Sequence, residues 1–326
     1  GGTSTQYYTF SLTYPGNVFI MSGGTFTLRG VNSTGGFFVN SDPGNVNVTG
    51  GTVIFESSNS NDFTVSSRAK FYNLRMRTTN GSNGAIIAEG GTSGTGGNAA
   101  TISNGEDFVV LNDLVIEGDC SDLNGSGYYD NPNSQLGTTF IASSTTSEND
   151  VYVGGSLFVC ESSTYTTYTG PAGNPTSIMT TIFDQDIATS TIDTFYYDGG
   201  AGFNPLEIGA ITLDRTSGNE LRYITEGGNG SIQMRVRGDF EVTSGTFDQH
   251  TNTIQTSTNV RNFDRMGTWF TSGSYPTTGG TPEGAQIRML IGNDDLEVTD
   301  GSIFGNIQVN AGPDAPIIFD GNVVIE

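Results

Sequence analysis

The sequence predicts an all-β fold, a parallel β-helix (β-solenoid), on three observations: a repeated phrase, a repeat interval near 28 residues, and strict apolar/polar alternation inside the phrase. The phrase reads turn residue, polar, apolar, any, apolar, and its best copies continue with Gly-Thr/Ser-apolar. Its clearest copies begin at Gly44, Gly238 and Asp294. Internal repeats of roughly 20 to 50 residues are typical of solenoids, whose units stack on one another.

The repeat interval sets the number of coils. We number each copy by its first apolar residue: Val18, Val46, Leu74, Leu114, Leu157, Ile211, Phe240, Leu296 and Val323. We expect these nine residues to form one inward-facing column in a chain of about 11 coils. The two longest intervals, 54 residues after Leu157 and 56 after Phe240, are about twice the short interval of 27 or 28, so each predicts a degenerate copy, near Ile182 and Trp269 respectively.

The residues within each phrase predict strands rather than helices. Val46-Asn47-Val48 and Phe240-Glu241-Val242 alternate with the period of a strand that buries one face. Gly, Asn and Asp separate such segments, as turns require. Tandem immunoglobulin-like sandwiches would group strands in sets of about 100 residues, which the repeat does not do. We therefore expect one β-helical domain over residues 1–326.

Two intervals of 40 and 43 residues, after Leu74 and Leu114, predict loop insertions at about 79–100 and 119–149. The first insertion is Gly-rich. It has neither the Lys nor the following helix of a phosphate-binding loop, so we interpret it as a surface loop.

The second insertion has the spacing of a calcium loop, Asp-x-Asn-x-Ser-Gly-x-x-Asp. The predicted Ca²⁺ ligands are the side chains of Asp122, Asn124, Ser126 and Asp130 and the main-chain carbonyl of Tyr128. Hard cations prefer such oxygen ligands. Ser126 at position 5 and Asn133 at position 12 reduce the charge of the loop and predict weak affinity. The alternative is a solvated polar loop without a metal.

The two cysteines fall on neighbouring coils, Cys120 at the base of the second insertion and Cys160 just after Leu157. A disulfide between them would close a loop of about 40 residues and contribute on the order of 3 to 4 kcal/mol by chain entropy. The alternative is a pair of buried free thiols.

Composition indicates an exported structural protein. The formal net charge is −22, with 34 acidic and 12 basic residues, and 47 of the 326 residues are Gly. This charge disfavours nucleic acid and anionic membranes as partners, and no apolar run is long enough for a transmembrane helix. The chain has no initiating Met and ends inside the apolar alternation, so we expect a fragment of a longer extracellular protein.

The segment from Val236 to Asp248, which reads VRGDFEVTSGTFD, resembles the repeats of very large secreted surface proteins and adhesins of Bacteroidota. The resemblance extends through the coils over most of the chain. It implies export, often by the type IX secretion route, and display on the cell surface, including that of gliding cells.

The sequence predicts a non-enzymatic stalk or fibre segment with an adhesive role. Its expected partners are surface glycans or other copies of the same or related proteins, with no nucleic acid and no membrane insertion. One alternative is a β-helix that binds or cleaves polysaccharides, and another is a phage-type tail fibre. The cleavage alternative would use carboxylates and arginines from the set Asp113, Asp184, Asp186, Asp294, Asp295, Arg75, Arg77, Arg235 and Arg237. We interpret these as turn residues and outward charges, and His250 has no Cys or His partner at metal-binding spacing.

Overall fold

The computed structural model describes residues 9–12, 14–30, 35–57, 63–67, 70–78, 85–90, 107–118, 139–144, 150–161, 163–169, 177–184, 190–198, 206–216, 219–226, 233–236, 240–248, 253–256, 268–270, 286–291, 296–298, 303–304, 306–311, 317–319 and 324–325. The chain forms two compact units. Unit 1 comprises Gly1–Val153 and Phe158–Thr166, and unit 2 comprises Gly154–Leu157 and Thr167–Glu326.

Unit 1 is built from parallel strands in three groups. Its strands are β1 (Thr9–Leu12), β2 (Phe19–Gly30), β3 (Gly35–Val39), β4 (Val46–Ser57), β5 (Phe63–Ser67), β6 (Asn73–Thr78), β7 (Ala85–Gly90), β8 (Phe108–Val110), β9 (Leu114–Ile116), β10 (Thr139–Ser144), β11 (Val151–Val153), β12 (Leu157–Val159, at the unit boundary) and β13 (Thr164–Thr166). The strand orders are β1-β3-β5-β7-β10-β13, β2-β4-β6-β9-β12 and β8-β11. The helix among the described residues is a single 3-10 turn, Pro43–Asn45.

Unit 2 is also built mainly from parallel strands. Its strands are β14 (Tyr168–Thr169), β15 (Ser177–Ile178), β16 (Thr180–Asp184), β17 (Ile192–Asp198), β18 (Leu206–Ile208), β19 (Ala210–Asp214), β20 (Glu220–Glu226), β21 (Gln233–Val236), β22 (Phe240–Ser244), β23 (Thr246–Asp248), β24 (Thr253–Thr256), β25 (Thr268–Phe270), β26 (Gln286–Ile291), β27 (Leu296–Val298), β28 (Ile303–Phe304), β29 (Asn306–Ala311), β30 (Ile317–Phe319) and β31 (Val324–Ile325). The orders are β16-β19-β22, β17-β20-β23-β25, β18-β21-β24-β26-β29, β27-β30 and β28-β31, with an antiparallel pair β14-β15.

Part of the chain visits three sheets in the same order twice. In unit 2 it runs β18, β19, β20 and then β21, β22, β23, and each strand of the second set pairs in parallel with its counterpart in the first. Sheet neighbours are therefore one full circuit apart in sequence. The prediction of an all-β architecture made of parallel strands is confirmed. Strands β16 and β25 contain Ile182 and Trp269 and pair with β19 and β23, so a strand lies where each degenerate copy was predicted.

The repeated phrase corresponds to a corner between two strands. Gly24, Gly51 and Gly245 have φ of 76°, 93° and 86°, a left-handed conformation that glycine adopts without a Cβ penalty. Gly245 separates β22 from β23, which belong to different sheets. At Gly245 the phrase is thus a strand, a glycine at the corner and a second strand, whereas Gly24 and Gly51 lie within β2 and β4, where the pairing of the two strands shifts register.

This corner explains why the predicted inward column is wrong. Val18 is 60% exposed and it is Phe19 that aligns with Val46. Leu74 aligns with Val53 and not with Val46, since Leu74 lies after its corner and Val46 before its own. The other members divide in the same way. Leu114 aligns with Leu74 after the corner, and Ile211 aligns with Phe240 before it. Leu296 aligns with Ile317 in a separate pair of strands. Leu157 is buried in β12, and Val323 lies outside the described residues.

The predicted insertions are not loops throughout. Ala85–Gly90 forms β7 and Thr139–Ser144 forms β10, and these strands align with each other over six residues. Both segments carry apolar residues in their centres, which suit a paired strand. The remainder of 79–100 and of 119–149 lies outside the described residues.

Stacked aromatic rings fill much of the core of unit 1. The ring of Phe37 lies 5.2 Å from that of Phe10, 5.5 Å from that of Phe55 and 5.4 Å from that of Phe71 between centroids. Phe108 continues the stack at 5.6 Å from Phe71. Such stacked and tilted contacts stabilise aromatic clusters beyond simple burial.

Several strands bury both faces, which alternation alone does not predict. All three residues of β9 are buried, and so are all three of β12. In unit 2 both rings of the Tyr196-Tyr197 pair are buried, and the ring of Phe195 packs 5.2 Å from that of Tyr223.

Candidate functional site

The predicted calcium ligands Asp122, Asn124, Ser126, Tyr128 and Asp130 all lie outside the described residues. Within the described part of the chain, no three His, Cys, Asp or Glu side chains come together as a potential metal site. The calcium loop therefore stays a prediction.

Cys160 follows β12, is fully buried and forms a disulfide. The sequence contains one other cysteine, Cys120, which lies outside the described residues. The pairing of Cys120 with Cys160 stays a prediction.

A row of alternating charges crosses β2, β4 and β6. Arg29, Glu56 and Arg77 are register partners on adjacent strands. Glu56 Oε1 lies 2.9 Å from Arg29 Nε, and Glu56 Oε2 accepts hydrogen bonds from Arg77 Nε at 2.8 Å and Nη2 at 2.5 Å. Opposite charges directly across parallel strands stabilise their pairing. One buried carboxylate thus ties three successive strands together.

A second ion pair lies beside this row, between Arg75 on β6 and Glu117, which follows β9. Arg75 donates from Nε and Nη2 to Glu117 Oε1, each at 2.5 Å. The carboxylate of Glu117 is fully buried, and its Oε2 has no hydrogen-bond partner among the described residues. Burial raises the pKa of Glu117 above its ordinary value, although the charges of Arg75 and Arg77 oppose the shift.

The turn after Glu117 is tightly packed against the next circuit. Ser163 Oγ donates to the carbonyl oxygen of Glu117 at 2.8 Å. A Cβ on Gly118 would lie 2.0 Å from the carbonyl oxygen of Glu161, so only glycine fits there. This packing holds Glu117 in place beneath Arg75.

The ion pairs with Glu56 and Glu117 involve two of the arginines that the polysaccharide alternative would use, Arg75 and Arg77. Arg75 and Arg77 donate hydrogen bonds to Glu117 and Glu56. Their side chains are only 18% and 23% exposed. A bidentate contact with an acidic sugar would have to displace those carboxylates. The side chains of Arg235 and Arg237 lie outside the described set.

Unit 2 contains a fully buried cation that the sequence did not reveal, Arg215, between β19 and β20. Its Nη1 donates to Asp193 Oδ2, and its Nη2 donates to the carbonyl oxygen of Gly155 at 2.8 Å. Its main-chain N–H donates to the carbonyl oxygen of Ser244 at 3.1 Å. Arg215 therefore joins corners of successive circuits from Gly155 to Ser244.

The electrostatics of this corner follow from burial. Desolvation lowers the pKa of the Arg215 guanidinium, and the hydrogen bond and charge of Asp193, with the charge of Asp184, oppose that shift. Burial also raises the pKa of Tyr197 to about 12 and that of Tyr223 well above its ordinary value. Both phenols are neutral at physiological pH, and they function as packed rings.

Of the carboxylates that the polysaccharide-cleaving alternative would use, the two described ones lie at a corner and at a strand end. Asp113 occupies the corner before β9, where its main-chain N–H donates to Asn73 Oδ1 at 3.3 Å. Asp184 ends β16 in register with Asp214. Asp186, Asp294, Asp295 and His250 lie outside the described residues.

One carboxylate pair in unit 1 escaped the sequence analysis. Asp107 and Asp150 precede the paired strands β8 and β11, and the main-chain N–H of Asp150 donates to Asp107 Oδ1 at 3.1 Å. Burial raises the pKa of Asp107; the hydrogen bond from Asp150 lowers it, and the negative charge of Asp150 raises it. The sequence signal for this pair is an Asp directly before each apolar strand. An ordinary turn residue has the same position, so the signal does not identify the pair.

The chain matches no protein-family model, no curated protein and no solved structure. In the described part of the chain, no helix is long and apolar enough to cross a membrane.

Proposed function

We propose that the strands of each unit are the coils of a parallel β-helix, and that the chain is a non-enzymatic structural or adhesive segment, a stalk or fibre element, of a secreted cell-surface protein. The rotation β18-β19-β20 followed by β21-β22-β23 supports the helical winding. In a solenoid of this kind, each coil is buried by the coils next to it.

The observation that carries the proposal is that the charged side chains pair with one another between neighbouring strands. Glu56 binds Arg29 and Arg77, and Glu117 binds Arg75, so these charged groups connect coils to each other. The same is true of Arg215 with Asp193. Charged side chains that hold adjacent coils together favour a load-bearing role over catalysis.

Cell-surface localisation is supported by chemistry as well as by the family resemblance. The disulfide at Cys160 favours an oxidising compartment, since disulfides persist mainly outside the cytosol. The net charge of −22 suits a soluble protein in an external medium. Pairing of Cys160 with Cys120 and weak calcium binding by Asp122 to Asp130 belong to the same proposal, because both would stabilise an exposed insertion.

The carbohydrate-binding or polysaccharide-cleaving β-helix and the phage-type tail fibre are the alternatives. The ion pairs of Arg75 and Arg77 disfavour the first. A tail fibre of this class ordinarily trimerises, so a chain that sediments as a monomer would disfavour the second.

The proposed function is tested on intact cells of the producing organism. Antibodies to the purified chain should label cells without permeabilisation, and excess purified chain should compete with adhesion of the cells to a glycan-coated or cell-coated surface. Labelling that requires permeabilisation, or adhesion unaffected by the competitor and by loss of the gene, would contradict the proposal.

A further inference from the structure

Unit 2 contains a line of hydrogen bonds that runs across its circuits and uses side chains. Ser156 Oγ accepts a hydrogen bond from the main-chain N–H of Thr194 at 3.0 Å, 38 residues further along the chain. Arg215 Nη1 donates to Asp193 Oδ2, which lies 22 residues earlier. Ser244 Oγ donates to the carbonyl oxygen of Arg215, which lies 29 residues earlier. These bonds join segments on successive circuits of the chain.

One contact in this line skips a circuit. Arg215 Nη2 donates to the carbonyl oxygen of Gly155 at 2.8 Å, 60 residues back, while Nη1 holds Asp193 on the circuit between them. The coils of a solenoid ordinarily contact only their immediate neighbours, so their stabilities are coupled in pairs. The planar guanidinium fork holds two partners in a fixed geometry, as an ammonium does not. Arg215 therefore adds a coupling that the stacking of strands alone does not supply.

Net stability is a weak reason for an arginine at this position. The side chains of Arg215 and Asp193 are 0% and 7% exposed, so both charges lose their hydration. The Nε of Arg215 has no hydrogen-bond partner among the described residues. A buried ion pair often contributes no more stability than apolar side chains of the same volume, and its best-attested role is to fix one arrangement of the elements that it joins. A slip between the segments would leave a charge buried alone.

The following circuit is fitted closely against Arg215. Its main-chain N–H donates to the carbonyl oxygen of Ser244 at 3.1 Å, and a Cβ on Gly245 would lie 2.8 Å from the Cβ of Arg215. The main chain of Arg215 thus binds the circuit that follows, and its side chain binds the circuits that precede. Displacement of one segment breaks contacts that hold the others.

We propose that Arg215 is a clamp that makes four segments of unit 2 open in one cooperative step. The segments are Gly154–Leu157, β17 (Ile192–Asp198), β19 (Ala210–Asp214) and β22 (Phe240–Ser244). Local opening of a folded chain occurs in cooperative units of contiguous contacts. In a stalk element such a block resists unwinding that proceeds one coil at a time. This inference rests on the proposed coils and goes beyond the proposed function, since it assigns a mechanical role to one buried side chain.

Hydrogen exchange followed by mass spectrometry tests the clamp, with peptides that cover each of the four segments and with urea raised from zero to moderate concentrations. In the wild type the four segments should converge on one opening rate. Arg215→Met should separate the rates by several-fold, because the segments then open on their own.

Leu213→Ala is the matched control, since Leu213 is fully buried on β19, two residues before the clamp, and loses core packing without touching its hydrogen bonds. This variant should exchange faster in all four segments while their rates stay equal. General destabilisation and loss of the clamp therefore give different results.

Ser244→Ala is a milder variant that keeps the buried ion pair and removes one link to β22. It should speed exchange of β22 relative to the other three segments. If Arg215→Met does not fold, this variant decides: faster exchange of β22 alone supports the clamp, and an unchanged common rate overturns it.

Separate rates in the wild type overturn the clamp, as do equal rates in a folded Arg215→Met variant or separate rates in Leu213→Ala. A common rate that only the Arg215 and Ser244 variants divide supports it. Independent opening in a chain that still labels the cell surface and blocks adhesion overturns the clamp alone and leaves the proposed function in place.

Discussion

Arg77 binds Glu56 through both Nε and Nη2, at 2.8 and 2.5 Å, although the two residues are 21 positions apart in the sequence. They face each other because β4 and β6 are adjacent and in register. Arg29 approaches the same carboxylate from the opposite side. The contact shows how the outer face of unit 1 resists separation of its strands.

Substitution of Arg77 should destabilise the fold. Arg77→Met keeps the apolar part of the side chain and leaves the largely buried carboxylate of Glu56 with Arg29 alone. We expect a loss of about 1 to 3 kcal/mol in the free energy of unfolding, as for a hydrogen bond to a charged group. Urea denaturation measures it. Arg29→Met is the control, because this more exposed partner should contribute less than about 1 kcal/mol. Equal losses for the two variants would contradict the account.

The Arg215–Asp193 pair should be strongly coupled. Arg215→Met leaves the buried carboxylate of Asp193 without its partner and should cost about 3 to 5 kcal/mol. Asp193→Leu should also be costly. The double variant should lose much less than the sum of the single losses, since it leaves neither charge behind. Denaturation midpoints of the four proteins complete the cycle, and strictly additive losses would rule out a coupled pair.

Gly245 should tolerate no side chain. Its φ is 86°, and a Cβ would lie 2.8 Å from the Cβ of Arg215 and 3.1 Å from the carbonyl oxygen of Asn219. Gly245→Ala should therefore reduce stability by about 1 to 3 kcal/mol. Gly44→Ala is the matched control, because a Cβ there would meet nothing within 4 Å and should change stability by less than about 0.5 kcal/mol. If thermal melts of the two variants coincide, the corner geometry is wrong.

Glu117 should make stability depend on pH. Because burial raises its pKa in the folded state above the ordinary value of 4.5, the folded chain binds its proton more tightly than the unfolded chain. Its contribution to stability is fully present below pH 4.5 and is lost as pH rises through the folded-state pKa. Glu117→Gln should flatten the profile in that range. Unfolding free energies measured along an acid-to-neutral series would refute this if the two proteins have the same slope.

The calcium loop should bind weakly. The charge-poor ligand set from Asp122 to Asp130 predicts a dissociation constant of about 10⁻⁴ to 10⁻³ M, as in extracellular modules. Titration calorimetry should detect calcium heat in the wild type that Asp122→Ala with Asp130→Ala abolishes. The absence of heat in the wild type, or unchanged heat in the double variant, would leave a polar loop without a metal.

The strand content and the parallel pairing could be predicted, because alternation and repetition are local properties of the sequence. The register could not. Val46-Asn47-Val48 and Thr52-Val53 are both apolar alternations inside one phrase, and only the left-handed Gly51 and the register shift between them show that they pair with different segments. A column drawn from first apolar residues therefore mixed the two sides.

The charged clusters were less accessible to sequence reasoning. The sequence predicts Arg75 and Arg77 as outward charges, but their carboxylate partners lie 42 and 21 residues away, and no sequence pattern joins them. Arg215 follows the phrase copy at Ile211 and resembles any polar residue at a turn. Its burial depends on Gly155 and Asp193, which come from two earlier circuits.

The central claim, a structural segment without catalytic activity, is tested most directly by a product assay on polysaccharides. Prolonged incubation of the chain with neutral and acidic polysaccharides, with and without calcium, should release no new reducing ends and no unsaturated sugars. Product formation that Arg77→Met or Asp184→Asn abolishes in a folded variant would contradict the claim and identify the chain as a polysaccharide-cleaving enzyme.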